Sequence, residues 1–264
     1  MNKKTIGIIG GGFVGSAIAR YYRNKERDVK VYDKYKESDS IDDVIKQDFI
    51  FIAVPTPFEK GFDRTYIDDA MSNAAKAEDG KIVIIKSTVI PGTTEDYQKQ
   101  YPHLNMFFNP EFLTESTADQ DFAFPDRQIV GHTEKSFQLA GDVLQLLPLT
   151  PFNRIVPATA AEMIKYFGNN WFSVKVVFAN LMFDVCEKLG VDYEVVKESV
   201  AADKRIGPSH LDVWHKGYRG YGGKCLPKDI RAMIEFAEKQ GLDPKILKVA
   251  EEVNQELTEG RKDI

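Results

Sequence analysis

The sequence predicts an α/β chain: a doubly wound parallel sheet in the N-terminal half, followed by an all-helical domain with one long central helix. Three observations carry this. The chain opens with a short apolar strand, a glycine triplet and a helix-forming run. Apolar strand-like runs then alternate with helical patterns as far as His132. From Thr159 to Leu189 the helical pattern continues without a break. Alternation of strands and helices reads as a parallel sheet covered on both faces.

Taken in order, Thr5–Ile9 is the first strand, and Gly10, Gly12 and Gly15 form Gly-x-Gly-x-x-Gly around Phe13 and Val14, ahead of the helix Ser16–Tyr22. In a dinucleotide-binding turn the three glycines serve a tight turn, close approach to a pyrophosphate and close helix–strand packing. The helix N-terminus then faces the phosphates. The second strand, DVKVYD, ends in Asp33, 18 positions after Gly15. A carboxylate there accepts ribose hydroxyls and repels the extra phosphate of NADP; Lys34 beside it is a cation that tolerates that phosphate. DFIFIAVPTP is a buried strand ending in a loop with Val54, Pro55 and Thr56, and TYIDDAMSNAAKA is helical. KIVIIKSTVIPGTT and LNMFFNPEFL repeat strand then loop, and RQIVGH reads as a sixth strand. Ligands of such sheets sit beyond the carboxyl ends of the strands, where the loops Val54–Pro57, Ser87–Val89 and Asn109–Glu115 fall.

The long helix reads as starting on a capping box, Thr159-x-x-Glu162, and stopping at Gly190. Thirty residues span roughly 45 Å. Its Phe167, Trp171, Phe172, Phe178, Leu181 and Phe183 leave more apolar surface than one small domain covers, which predicts a homodimer. Lys165 and Asn169 share a face one turn apart; spacing alone favours a wet polar stripe over a site. Cys186 reads as a small core residue. A helix over DYEVVKESVAAD follows, then the loop GYRGYGGKCLPKD and two helices ending near Leu257. The expected domains are 1–157 for the dinucleotide, 158–258 helical, and a polar tail at 259–264.

Composition excludes several classes. A net charge of −5 and a pI of about 5.5 offer no electrostatic attraction to nucleic acid or an anionic membrane surface. No apolar run reaches the roughly 20 residues of a membrane span. The N-terminus breaks into glycines and reads as a strand, not a signal peptide. Two cysteines imply no disulfide framework and a cytoplasmic setting, and the four histidines show no metal spacing.

Cys225 remains to be explained. Glycines around it allow a ligand close to the backbone, Lys224 and Lys228 favour a thiolate, and a buried cysteine in a tight loop fits the same stretch. The motifs GGGFVG, VPTP, STVIPGTT, NPEFLTE, EMIKYFGNN, RIG, GYGGKCLPKD and VNQEL occur in the order of the UDP-glucose dehydrogenase family. That family also includes GDP-mannose and UDP-N-acetylmannosamine dehydrogenases, and the resemblance runs from residue 5 to about 257. It implies an enzyme that uses two NAD to oxidise the C6 alcohol of a nucleotide sugar to a carboxylate. By motif, Cys225 resembles the nucleophile that forms a thiohemiacetal and then a thioester. Lys165 and Asp229 resemble the pair that handles the alcohol proton and the oxyanion, with Asn169 as a further donor. Glu111 resembles the acid/base of thioester hydrolysis and Thr88 the residue that positions water. The resemblance places NAD on Gly10, Gly12, Phe13, Val14, Gly15, Asp33, Lys34, Val54, Pro55, Thr56, Ser87, Thr88, Glu115 and Lys228. It places the substrate on Glu111, Phe112, Leu113, Lys165, Asn169, Arg205, Tyr221 and Gly222, with Arg205 reaching across a dimer.

Two departures stand out. The stretch Pro208–Arg219 is longer than in many members. The chain also stops where the family's helical domain ends, without the second nucleotide-binding domain. Weak sugar-nucleotide binding, a replacement grip by the longer loop, or completion by a separate nucleotide-binding polypeptide are the expectations that follow. A two-electron β-hydroxyacid dehydrogenase, which needs no such cysteine, and a non-catalytic NAD-binding remnant are the alternatives.

Overall fold

In the computed structural model, which describes residues 4–215 and 217–259, the chain divides into two units, Met1–Lys165 and Tyr166–Ile264. Most of the tail expected at 259–264 therefore lies outside the described residues.

The first unit is a seven-stranded sheet in the order β2-β1-β3-β4-β5-β6-β7. Its elements run β1 (Ile6–Ile9), α1 (Phe13–Asn24), β2 (Val29–Tyr32), α2 (Ile41–Ile45), β3 (Phe49–Ile52), α3 (Thr65–Ala74) and β4 (Ile82–Ile85). They continue with α4 (Thr93–Gln100), β5 (Asn105–Phe108), α5 (Ala118–Ala123), β6 (Arg127–His132), α6 (Ala140–Leu146) and β7 (Phe152–Pro157). The central strands are apolar at every position because both faces are covered. Phe49, Phe51, Ile82, Ile84 and Phe107 pack under α1, α5 and α6. Their neighbours Ile50, Ile52, Val83, Ile85, Met106 and Phe108 pack under α2, α3 and α4. Each such side chain contributes about 1.5–3 kcal/mol by leaving water.

Two features differ from the reading above. All pairings are parallel except β5 with β6, which is antiparallel. The segment between them carries a candidate site loop and the short α5, which is tied to α1 by Arg20–Asp119 and by Tyr21 edge-on to Phe122. The seventh strand, β7, was not expected. It is an edge strand with mostly exposed residues, so FNRIVP lacks the apolar run of a buried strand.

The long helix α7 spans Ala158–Leu189, one residue earlier than expected. The unit boundary falls inside it, at 165/166 instead of 157/158. Its first turns pack on the sheet: a Cβ on Gly131 of β6 would lie 2.7 Å from the Ala161 Cβ and 3.0 Å from the Ala158 Cα. Glu162 forms no capping box with Thr159. It caps α4 instead, where Gly92 (φ +97°) supplies no side chain. One carboxylate oxygen accepts Gly92 N–H at 2.6 Å; the other accepts Thr94 N–H at 2.9 Å and Thr94 Oγ1–H at 2.6 Å.

The second unit holds the rest of α7, α8 (Tyr193–Ala201), α9 (Leu226–Lys239) and α10 (Lys245–Leu257). Helix α7 stops as expected: Gly190 is left-handed (φ +67°) and Val191 N–H returns to Cys186 O at 2.9 Å. Cys186 is buried with Tyr193 and Val213, as a small apolar residue would be. Phe167, Trp171, Phe178, Leu181, Val185 and Leu189 are exposed at helical spacing, a continuous apolar stripe on α7. The loop 208–219 is packed against its own unit. Phe172 stacks on His210 with centroids 4.1 Å apart, Tyr193 Oη donates to Leu211 O, and Arg219 pairs with Asp184 and donates to Asn180. Lys216 of that loop lies outside the described residues.

Burial pushes Glu162 up to about 7 from 4.5, against the opposing hydrogen bonds from Thr94 and Gly92. The folded chain thus favours the protonated form. Its contribution is complete below about 4.5 and is lost as pH rises through about 7. Relative to Glu162→Gln, the wild type is expected to lose stability across that window, with a slope of at most about 1.4 kcal/mol per pH unit. Urea unfolding followed by circular dichroism from pH 4 to 8 checks this; a flat difference would count against it.

Candidate active site

The glycine turn after β1 has a separate local geometry at each of its three glycines. Gly10 takes φ +106° and a Cβ there would lie 2.5 Å from Ala53 O. Gly15 presses α1 onto the turn, since its Cβ would meet Gly10 O at 1.9 Å. A Cβ on Gly12, in contrast, would meet nothing within 4 Å, and Gly12 is the N-cap of α1 with no side chain capping it. Open space against a helix N-terminus is what a pyrophosphate requires, and Phe13 and Val14 form the first turn behind it. Asp33 closes the turn: its Oδ2 accepts Gly11 N–H at 2.7 Å and its Oδ1 accepts Tyr35 N–H at 2.9 Å. A cavity of about 370 Å³ lined by Gly11, Ser16, Arg20, Arg23, Asp33 and Lys36 adjoins it. Lys34 faces Asp69 at 3.3 Å, so its charge is already engaged.

The loops after β3 and β4 are stitched together. Thr56 Oγ1 donates to Thr88 O and Ser87 Oγ to Val54 O, both at 2.7 Å. Thr56 and Ser87 are buried. Their hydroxyl protons hold together the loops that bear Pro55 and Thr88.

Beyond β5 lies a cluster of buried charge. Lys165 donates to Glu111 O at 2.5 Å and stands 3.4 Å from Glu111 Oε2, with both side chains under 10 % exposed. Leu113 N–H donates to Glu111 Oε1. The ring of Phe112 carries Arg127 over its face at 4.0 Å and Lys165 at 5.7 Å. Lys86, absent from the sequence reading, is buried beside them. It donates to Asn109 Oδ1 at 2.8 Å, and Asn109 is held by Ile129 O and Gln128. Burial pushes Lys86 down to about 8; Glu111 opposes this and Lys165 reinforces it. The signal was a lysine closing the apolar run KIVIIK at a strand's carboxyl end. Glu115 is exposed at the start of a 3-10 turn, Glu115–Thr117.

In the second unit, Asp229 is 1 % exposed and both its oxygens are occupied. Asn169 Nδ2 donates to Oδ2 and Lys228 pairs with Oδ1, each at 2.5 Å. Lys228 is therefore the partner of Asp229. Cys225 is exposed and is the N-cap of α9, with a proline in the first turn and Asp229 N–H donating to Cys225 O. Negative charge is favoured at such an end. One substrate expectation changes. Tyr221 is buried and its hydroxyl donates to Glu251 at 2.8 Å, so it anchors the loop instead of lining an open pocket. Arg205 is exposed and forks onto Asp203 two residues back. Gly222 sits under Tyr218, whose hydroxyl a Cβ would meet at 3.0 Å. Among the described residues no three His, Cys, Asp or Glu side chains group as metal ligands, and no helix is long and apolar enough to cross a membrane.

Residues 31–145 match the NAD binding domain of the UDP-glucose/GDP-mannose dehydrogenase family, and residues 159–256 match its central domain. UDP-glucose 6-dehydrogenase AglM of Haloferax volcanii is 33% identical over 242 residues, 84% of this chain and 55% of that protein. The solved UDP-glucose dehydrogenase of Pyrobaculum islandicum superposes with a TM-score of 0.85 at 28% identity, covering 97% of this chain and 68% of that one. The 3-hydroxyisobutyrate dehydrogenase of Mycobacterium tuberculosis superposes at 0.78 over 99% of this chain and 96% of its own, but at 15% identity it shows the fold alone. The chain spans about half the length of the curated relatives it matches.

With the Asp33 carboxylate beside the glycine turn and Lys34 engaged by Asp69, NAD should bind on the order of a hundredfold more tightly than NADP. Asp33→Ala should narrow that gap. Calorimetry with both dinucleotides checks this; equal affinities for the wild type would refute it.

Proposed function

This chain belongs to the UDP-glucose/GDP-mannose dehydrogenase family, and from that premise we propose that it oxidises the C6 alcohol of a nucleotide sugar, UDP-glucose or a related UDP- or GDP-sugar, to the carboxylate. The observation that carries the proposal is Cys225, exposed at the N-cap of the 14-residue α9 and followed one turn later by the buried Asp229. A two-electron oxidation has no use for that thiol. A four-electron oxidation does, because the first product is an aldehyde that must be held and activated.

The balance is one alcohol, two NAD⁺ and one water giving one carboxylate, two NADH and three protons. NAD, when bound, takes a hydride from C6 in each oxidation. Asp229, with Lys228 and Asn169 on its two oxygens, takes the alcohol proton through a water. The Lys165 ammonium and the Asn169 amide stabilise the oxygen as negative charge develops on it. The Cys225 sulfur bonds to the aldehyde carbon and the carbonyl oxygen gains a proton, giving a thiohemiacetal. Loss of the hydride and that proton leaves the thioester. Glu111, oriented by Leu113 N–H, takes a proton from water positioned by Thr88; the new C–O bond displaces the thiolate. Glu115, Arg205 and Gly222 are assigned to ligand contacts by the same family reading.

We also assign the stripe Phe167–Leu189 on α7 to a homodimer interface, since standard interfaces need about 800 Å² of self-complementary surface from each partner. A cytoplasmic setting fits the soluble substrates.

Three outcomes are expected. Purified chain should release two NADH per sugar, counted spectrophotometrically against product by mass spectrometry; one per sugar would favour the two-electron alternative. Cys225→Ala should lower two-step turnover by about 10³-fold or more, and full turnover by that variant would remove the nucleophile assignment. Light scattering should give a dimer for the wild type and a monomer for Phe178→Glu/Leu181→Glu; a wild-type monomer at micromolar concentration counts against the interface.

A further inference from the structure

One motif is left unused by this chemistry: VNQEL, at the end of α10. Its asparagine, Asn254, is fully buried, and its amide pairs with the peptide of Tyr221 from both sides. Asn254 Oδ1 accepts Tyr221 N–H at 2.6 Å, and Asn254 Nδ2 donates to Tyr221 O at 3.0 Å. A second tether runs beside the first. Tyr221 Oη donates to Glu251 Oε2 at 2.8 Å, and Glu251 Oε1 accepts Arg231 Nε at 2.6 Å and Gln255 Nε2 at 3.1 Å.

The tethers bracket the thiol. Cys225 lies four residues after Tyr221 and six before Arg231, so both its flanks are tied to one stretch of α10. Gly220 is the residue this arrangement demands. It takes φ +80°, and a Cβ would lie 2.6 Å from Asn254 Oδ1. Between tether and thiol stand only Gly222, Gly223 (φ +76°) and Lys224. Two glycines in three residues have wide backbone freedom unless something outside fixes them. The buried Tyr221 peptide also needs both of its hydrogen bonds, and Asn254 supplies them.

We propose that Asn254 is a positioning residue for Cys225: by clamping the Tyr221 peptide, with the Tyr221–Glu251–Arg231 chain as support, it sets where the thiol stands at the N-cap of α9. The consequence for catalysis rests on reading Cys225 as the nucleophile, so the deciding measurement is made on the thiol itself. The full chain is alkylated with iodoacetamide between pH 6 and 9, and each cysteine is followed separately by peptide mass spectrometry.

In Asn254→Ala the Cys225 rate at neutral pH should fall about tenfold, with its pH midpoint moved upward, because a thiol displaced from the helix end loses stabilisation of its thiolate. Buried Cys186 reports general loosening in the same samples and should be unchanged. Turnover should fall with the Cys225 rate while NAD affinity holds. Should Asn254→Ala fail to fold, Asn254→Asp decides in the same way: it keeps the shape and one acceptor but loses the donor to Tyr221 O. A wild-type Cys225 rate and midpoint in the folded variant would overturn the proposal. Full two-step turnover by Cys225→Ala would overturn the nucleophile reading and leave the alkylation result, and the placement of the thiol by Asn254, standing.

Discussion

A charge removed from water must find partners, and the ligand side of the first unit is arranged around that demand. Stranding a buried ion costs several kcal/mol. Lys165 avoids this by donating to the backbone of Glu111 and facing its carboxylate. Lys86 avoids it by reaching Asn109, and the Glu162 carboxyl, its charge disfavoured by burial, is spent on capping α4. Each contact joins elements far apart in sequence. Together they pin the start of α7 to the loops after β4 and β5, so the geometry of Thr88, Glu111 and Lys165 follows from the partnering of buried charge.

The second unit solves a different problem: how to hold an exposed cysteine steady in a run of glycines. The answer is divided between two helices. Helix α9 supplies the N-cap position and the buried Asp229, whose oxygens are filled by Asn169 and Lys228. Helix α10 supplies Asn254 and Glu251. The loop 208–219 is bound to α7 and α8 through Leu211, Asp212 and Arg219.

How legible these features were in the sequence depended on whether the constraint was local. The glycine triplet, Asp33 and the stop at Gly190 express turn geometry over a few residues, and each was readable. So were the apolar strands, because burial on two faces leaves no alternation to misread. Glu162 was misassigned because a capping box and a long-range cap look identical along the chain; only the fold shows which N–H groups are near. Tyr221 was misplaced for a related reason: its partners come from α10, thirty residues on. Lys86 carries no motif, and only the burial of its neighbours makes its ammonium notable. The antiparallel pairing of β6 with β5 joins strands separated by the loop and α5, and no spacing records its direction.

Strand β7 has a consequence for the chain in company with others. It ends the sheet with an outward edge, the kind of surface that templates the addition of further strands. Phe152 and Ile155 are partly exposed there. Between them stand Asn153 and Arg154, the guanidinium lying 4.8 Å over the Phe152 ring, and the strand closes on Pro157, which has no N–H to give. A charge and a missing donor on so short an edge discourage fibrillar growth, so the polar residues that hid β7 from a hydrophobic reading also keep neighbouring molecules from extending its sheet.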